Sequence, residues 1–192
     1  WGPIYPLTVP VDGDYSWVTT QGGASVVTTN GGIFLNAPAS ASIAIRMRGK
    51  AAPATTYTIT ALFVPLVYKE SFHSVGLAFR RNAAPEAGYL HTMSIQGDNA
   101  LKIERYTNAN TFSSTDLNIT LPAITPPCFF RITDNGTNLL FSVSADGQNY
   151  LQIQSISRTA FMTSGPDQVG FFADSENAGH AAAMTLYSWK QS

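Results

Sequence analysis

The sequence predicts an all-β domain, a two-sheet antiparallel jelly-roll sandwich. Three observations carry this reading. Apolar and polar residues alternate with a period of two through most of the chain, which gives each segment one inward and one outward face. No segment sustains i, i+3, i+4, i+7 apolar spacing with a cap at each end, so helices are not expected. Turn-forming clusters punctuate the alternating runs: "TNGG" at 29–32, "QGDN" at 96–99, "TDNGTN" at 133–138, "ADGQN" at 145–149 and "SGPD" at 164–167. Their spacing suits a sandwich or barrel, and roughly twelve to fifteen strands are too many for a simple immunoglobulin arrangement.

The strands follow in order. Segment 15–20 comes after the Asp12-Gly13 turn, and 25–29 and 32–36 flank "TNGG". "SIAIRMRG" puts Ile43, Ile45 and Met47 on one side, with Ala44, Arg46 and Arg48 on the other. "TYTITALFV" sets Tyr57, Ile59, Ala61 and Phe63 against Thr58, Thr60, Leu62 and Val64. "SVGLAFRR" sets Val75, Leu77 and Phe79 against Gly76, Ala78 and Arg80. Segment 89–96 is bulky on both faces, and "ALKIERY" sets Leu101, Ile103 and Arg105 against Lys102, Glu104 and Tyr106. Strands are also expected at 116–121, 128–134, 138–145, 149–156, 168–174 and 182–189. With Phe171, Met184 and Leu186 inside, alternation leaves Phe172, Tyr187 and Trp189 outside, as the wall of a groove or under loops. Segment 37–56, rich in Ala, Pro, Ser and Thr, reads as a mobile edge.

The 192 residues show no linker or composition shift, so 1–192 reads as one domain, with 1–14 as a candidate N-terminal docking arm because "WGPIYPLTVP" is apolar and Pro-rich. Charged residues are only 12% and the net charge is -1, so solubility rests on neutral polar side chains. That balance excludes a phosphate-tracking nucleic-acid binder, which needs a concentrated basic face. No run reaches the roughly 18 apolar residues of a membrane helix, so membrane insertion is not expected. The single cysteine, Cys128, excludes an internal disulfide and any multi-thiolate metal site. In its apolar run it reads as a small buried hydrophobe rather than a nucleophile. "NIT" at 118–120 and "NGT" at 135–137 are formal glycosylation sequons.

Catalytic machinery is sparse. A retaining glycosidase needs two carboxylates about 5–5.5 Å apart. Asp174 and Glu176 are the only acidic pair at i, i+2 that includes a Glu, and they read as a polar loop in preference to a catalytic pair. There is no G-x-S-x-G elbow for a serine nucleophile, and three scattered histidines are no zinc signature. The domain is therefore expected to be non-catalytic and to need no cofactor. Asp12 and Asp14 are candidate ligands of a structural calcium ion, the alternative being a plain turn. Sugars are held by aromatic faces and planar polar groups, so Arg80, His91, Glu104, Tyr106, Arg131 and Phe172, with Lys102 beside them, are the candidate ligand-binding set on one sheet face. An Arg131–Glu104 ion pair is the competing structural role.

"FFRITDNGTNLLFSVSADGQNYLQI", followed by "VGFFADSENAGHAAAMTLYSW", resembles the closing strands of the concanavalin A-like lectin/glucanase superfamily. It is most similar to the jelly-roll domains of phage virion proteins and of glycoside-hydrolase accessory modules, over roughly residues 75–190. The resemblance implies two antiparallel sheets, one concave, with ligands on the concave face or its rim. "SADGQNY" resembles a sialidase-type Asp-box one residue short, and Asp146-Gly147 reads as a hairpin turn. The resemblance implies a lectin-like structural or binding domain of a virion: a tail-fibre, receptor-binding or capsid-decorating protein. It would meet a surface glycan and other virion subunits or copies of itself, in a virion or extracellular setting. The alternative is a glycoside hydrolase or its carbohydrate-binding accessory module.

Overall fold

A computed structural model describes residues 6–29, 31–69, 72–120, 128–176 and 179–192. Residues 1–5 of the expected docking arm and the side chain of Cys128 lie outside the described residues. A single 3-10 turn, Asp12–Asp14, precedes the strands. In chain order these are β1 Ser16–Trp17, β2 Ser25–Thr29, β3 Gly32–Ala37, β4 Arg46–Ala51, β5 Tyr57–Leu66, β6 His73–Arg80 and β7 Leu90–Gln96. Then come β8 Ala100–Asn108, β9 Thr111–Thr120, β10 Cys128–Asp134, β11 Asn138–Ser144, β12 Leu151–Ser157, β13 Gln168–Ser175 and β14 Ala182–Gln191.

They form two seven-stranded antiparallel sheets. Sheet I runs β1-β4-β13-β6-β7-β8-β9 and sheet II runs β12-β11-β10-β5-β14-β3-β2. Between them lies the core that alternation foresaw. Val75, Leu77, Phe79, Met93, Ile103 and Phe171 come from sheet I; Ile33, Leu35, Ile59, Phe63, Phe130, Ile132, Phe141 and Met184 come from sheet II. Each large apolar side chain removed from water contributes about 1.5–3 kcal/mol, so this layer carries most of the stability.

The edges are managed locally. β9 and β12 end their sheets, and both carry register shifts against their neighbours. Bulges of this kind disrupt the flat template that another strand would need. The β11–β12 connection is "SADGQNY". Gly147 takes φ 74, and the Asp146 carboxylate accepts the backbone N–H groups of Gln148 and Asn149, each at 2.8 Å. These bonds hold the Asp146 carboxyl well below its ordinary pKa. The stretch is a self-satisfied reversal.

Two expectations change: the burial of Trp189 and the place of segment 37–56. The register of β14 shifts between Leu186 and Ser188, and the extra residue turns Trp189 into the core, where it is 4% exposed; only Tyr187 faces out. Phe172 points away from sheet II, as expected, and lies covered, 2% exposed, because Ile45, Met47, Leu90 and Tyr106 close around it. Segment 37–56 is not an edge: it carries β4, the second strand of sheet I. Within the stretch read as an arm, Thr8 meets β14 of its own domain: Thr8 N donates to Ser188 Oγ at 2.9 Å, and Trp189 N donates to Thr8 O at 2.8 Å beside the β14 shift.

Candidate functional site

Strand pairing aligns a row of side chains on the outer face of sheet I, away from sheet II. Phe172 and Asp174 stand on β13; Ser74, Gly76, Ala78 and Arg80 on β6; Thr92, Ser94 and Gln96 on β7; Lys102, Glu104 and Tyr106 on β8. This face is roofed. Ile45 N donates to Ala109 O, at the tip of the β8–β9 hairpin, at 2.9 Å. Ile43, Ile45, Val18 and Ala109 pack over Met47, Phe172, Leu90 and Tyr106. Ser175 Oγ donates to Pro38 O and fastens the start of the segment that leads to Ile45.

Beneath the roof lies a polar network. Gln96 Nε2 and Tyr106 Oη each donate to Glu104 Oε2 at 3.0 Å. Lys102 Nζ lies 3.4 Å from Asp98 Oδ2 and 5.7 Å from the Phe72 ring centroid. Asp174, 1% exposed, accepts N–H bonds from Ala44 and Glu176, both at 3.1 Å. Burial, and after it the nearby Glu176 charge, push the Asp174 carboxyl up to about 7. Burial also raises Glu104 and Glu176, and it raises the Tyr106 phenol beside Glu104. Within this network Ser94 Oγ and Gln96 Oε1 are buried without a hydrogen-bond partner among the described residues. Such groups carry a desolvation cost of about 1–3 kcal/mol, which marks a place where a ligand or water completes the pairing.

Gln96 belongs both to this network and to the lining of a pocket. At its end of the sandwich the chain leaves β5 through residues 65–69, opposite the β7–β8 turn. Between them is a pocket of about 520 Å³ lined by Leu66, Tyr68, Lys69, Ile95, Gln96 and Asn99, with Pro65, Val67 and Gly97. Tyr68 is 53% exposed; its ring stacks on His180 at 4.2 Å and meets His73 edge-on at 6.2 Å. The pocket size lies within the usual range for small-ligand sites, about 300–1,000 Å³.

The six residues expected on one face occupy three surfaces. Arg80, Glu104, Tyr106 and Phe172 share the outer face of sheet I. Arg80 reaches Gln168 and, at 2.9 Å, Asn82 Oδ1, at the far end from the pocket. His91 points into the core beside Phe141, with Nε2 2.7 Å from Asp116 Oδ2; burial lowers its pKa. Arg105 also grips Asp116, at 2.7 Å, so this cluster bolts β7, β8 and β9 together. Arg131 lies on the outer face of sheet II, donating to Thr60 Oγ1 at 3.1 Å, its guanidinium 3.4 Å from the centroid of the Tyr150 ring. An Arg131–Glu104 pair is therefore ruled out, since β10 and β8 belong to different sheets. Alternation assigns faces within a strand and says nothing of which sheet the strand joins. Tyr68, Lys69, Ser94, Gln96 and Asn99 were not foreseen. The signal for Ser94 and Gln96 was the two-faced run of 89–96, whose polar side is as buried as its apolar side.

Asp12 and Asp14 share the 3-10 turn, but Arg48 Nη2 lies 2.5 Å from Asp12 Oδ1 and 2.9 Å from Asp12 O. The guanidinium already supplies the positive charge that a cation would bring, so the donor set does not fit calcium. Among the described residues no group of three or more His, Cys, Asp or Glu side chains is placed to hold a metal.

No family model matches the chain, and no curated protein matches it in sequence. Solved structures match it in fold. The GH43 protein BlXynB from Bacillus licheniformis superposes with a TM-score of 0.69 at 14% identity, over 93% of this chain and 36% of that one. The carbohydrate binding module CBM66 from Bacillus subtilis gives 0.59 at 12% identity, over 97% of this chain and 99% of that one. A family 7 alginate lyase, A1-II′, gives 0.55 at 13% identity, over 91% of this chain and 84% of that one. The chain thus spans about a third of the GH43 protein (36%) and nearly the whole of CBM66. At such identities the likeness defines the fold, and that fold is the concanavalin A-like jelly-roll sandwich.

Proposed function

We propose that this domain binds carbohydrate and does not cleave it, taking a sugar ring into the pocket at the Gln96 end of sheet I. One observation carries the reading. The pocket sets the exposed Tyr68 ring in one lining with the polar side chains of Lys69 and Asn99, and a sugar ring with an apolar face and hydroxyl groups suits both kinds of group. The fold supports it, because CBM66, a domain of matching extent, is a carbohydrate binding module. The finer setting, a virion or other extracellular surface with the domain as a homo-oligomer or beside other subunits, rests on the low charge and on sequence resemblance alone. A glycan array probed with the wild-type domain and with Tyr68→Ala tests the reading. Loss of an aromatic anchor is expected to weaken binding roughly tenfold or more. An array with no bound glycan would sink it.

A second reading, glycan cleavage, has its own observation. Asp174, with a pKa of about 7, is a carboxyl able to hold a proton near neutrality, and Glu104 and Glu176 are near enough to perturb the groups around them. A raised carboxyl close to other carboxyls is the pattern of acid catalysis on glycosides. Polysaccharide turnover that is lost in Asp174→Asn and Glu176→Gln would favour this reading over binding alone.

A further inference from the structure

We infer that the sugar ring held at the Gln96 end of sheet I carries a carboxylate, so that the domain selects uronate-containing glycans. This rests on the carbohydrate-binding reading above and names the ligand class for the same pocket.

The charges around the pocket decide the class. Among the described residues Lys69 is the one charged residue in the lining, and it is exposed. The other nearby cation, Lys102, is already matched by Asp98 at 3.4 Å. Lys69 makes no ion pair among the described residues. Tyr68, half-exposed, lines the same pocket. The complement of these two groups is one molecule with a flat apolar face and a negative charge. A hexuronate residue has both. A neutral hexose leaves Lys69 idle, and an inorganic anion leaves Tyr68 unmatched. A carboxylate is also the group that a lysine, as a compact point charge with three donors, holds through charge-assisted bonds.

The test is calorimetric titration of the 192-residue chain with trimers of galacturonate and mannuronate against uncharged trimers of glucose and xylose, at low and at physiological salt. Lys69→Gln and Tyr68→Ala are run beside wild type. The uronate trimers are expected to bind roughly tenfold tighter than the neutral ones, the size of one charge-assisted hydrogen bond, with the advantage shrinking as salt rises. Lys69→Gln should abolish that advantage, bringing uronate affinity to the level of the neutral trimers. Tyr68→Ala should weaken both classes. Neutral trimers binding as tightly as uronates would overturn the inference and leave the carbohydrate reading standing. Uronate selectivity that survives in Lys69→Gln would also overturn it. No binding of either class, together with an empty glycan array, would overturn both.

Discussion

Replacing Asp174 by Asn is expected to stabilise the domain, and to do so more at high pH than at low. Asp174 is 1% exposed on the roofed face of sheet I, and no cation lies within salt-bridge distance among the described residues. Its pKa rises from an ordinary 3.8 to about 7, chiefly through burial. A carboxyl raised on folding contributes stability that is fully present below its unfolded pKa and is lost as pH rises through the folded value. Above pH 7 the whole shift of roughly 3 units is spent, which is about 4 kcal/mol at about 1.4 kcal/mol per unit. At pH 5 the folded group is still protonated while the unfolded one is about 1.2 units past its pKa, a loss of only about 1.6 kcal/mol. Asparagine cannot ionise, and its Oδ1 keeps the acceptor for Ala44 and Glu176. The advantage of Asp174→Asn should therefore grow by about 2–3 kcal/mol between pH 5 and pH 8. Urea unfolding of both proteins at the two pH values reads this directly. If Asp174→Asn is destabilised by the same amount at both, the ionised carboxylate is structurally useful and the reasoning fails.

Other outcomes follow from the same structure. Trp189→Ala, in the core at the β14 shift, should cost about 3–5 kcal/mol, read as a fall in the urea midpoint. Arg131→Ala should cost no more than about 1–2 kcal/mol, through its contact with Tyr150, and leave glycan affinity unchanged; lost binding at unchanged stability would return the site to sheet II. The His91 ring protons should titrate in NMR spectra at a lower pH than those of a free imidazole, because burial lowers its pKa below the ordinary 6.5. Its contribution to stability is present above pH 6.5 and declines as pH falls below it.

The sequence read strands well, for a physical reason. In a sandwich the inner face must be apolar at every second residue, so Ile59, Ala61 and Phe63, or Val75, Leu77 and Phe79, announce themselves. What alternation could not supply was long-range. The shift at Leu186/Ser188 is one added residue, invisible in composition, and it reverses the fate of Trp189. For Phe172 alternation left a groove wall and a covered face open, because the residues that cover it, Tyr106 and Ile45, come from β8 and from the segment before β4. The candidate site was scattered for the same reason. Arg131, His91 and Glu104 each sit in a strand with clear periodicity, but sheet membership depends on pairing partners 60 or more residues away for β10 with β5, as in Arg131 opposite Thr60. The pocket was missed because Tyr68 and Lys69 belong to a connection, and no local pattern brings a connection against Gln96.

The most direct test of the carbohydrate reading is a set of 1H–15N spectra of the 192-residue chain titrated with bound oligosaccharides. The account predicts shifts concentrated at Tyr68, Lys69, Gln96 and Asn99, with smaller ones at Glu104 and Tyr106. Shifts confined to the Arg131 and Tyr150 face of sheet II would contradict it.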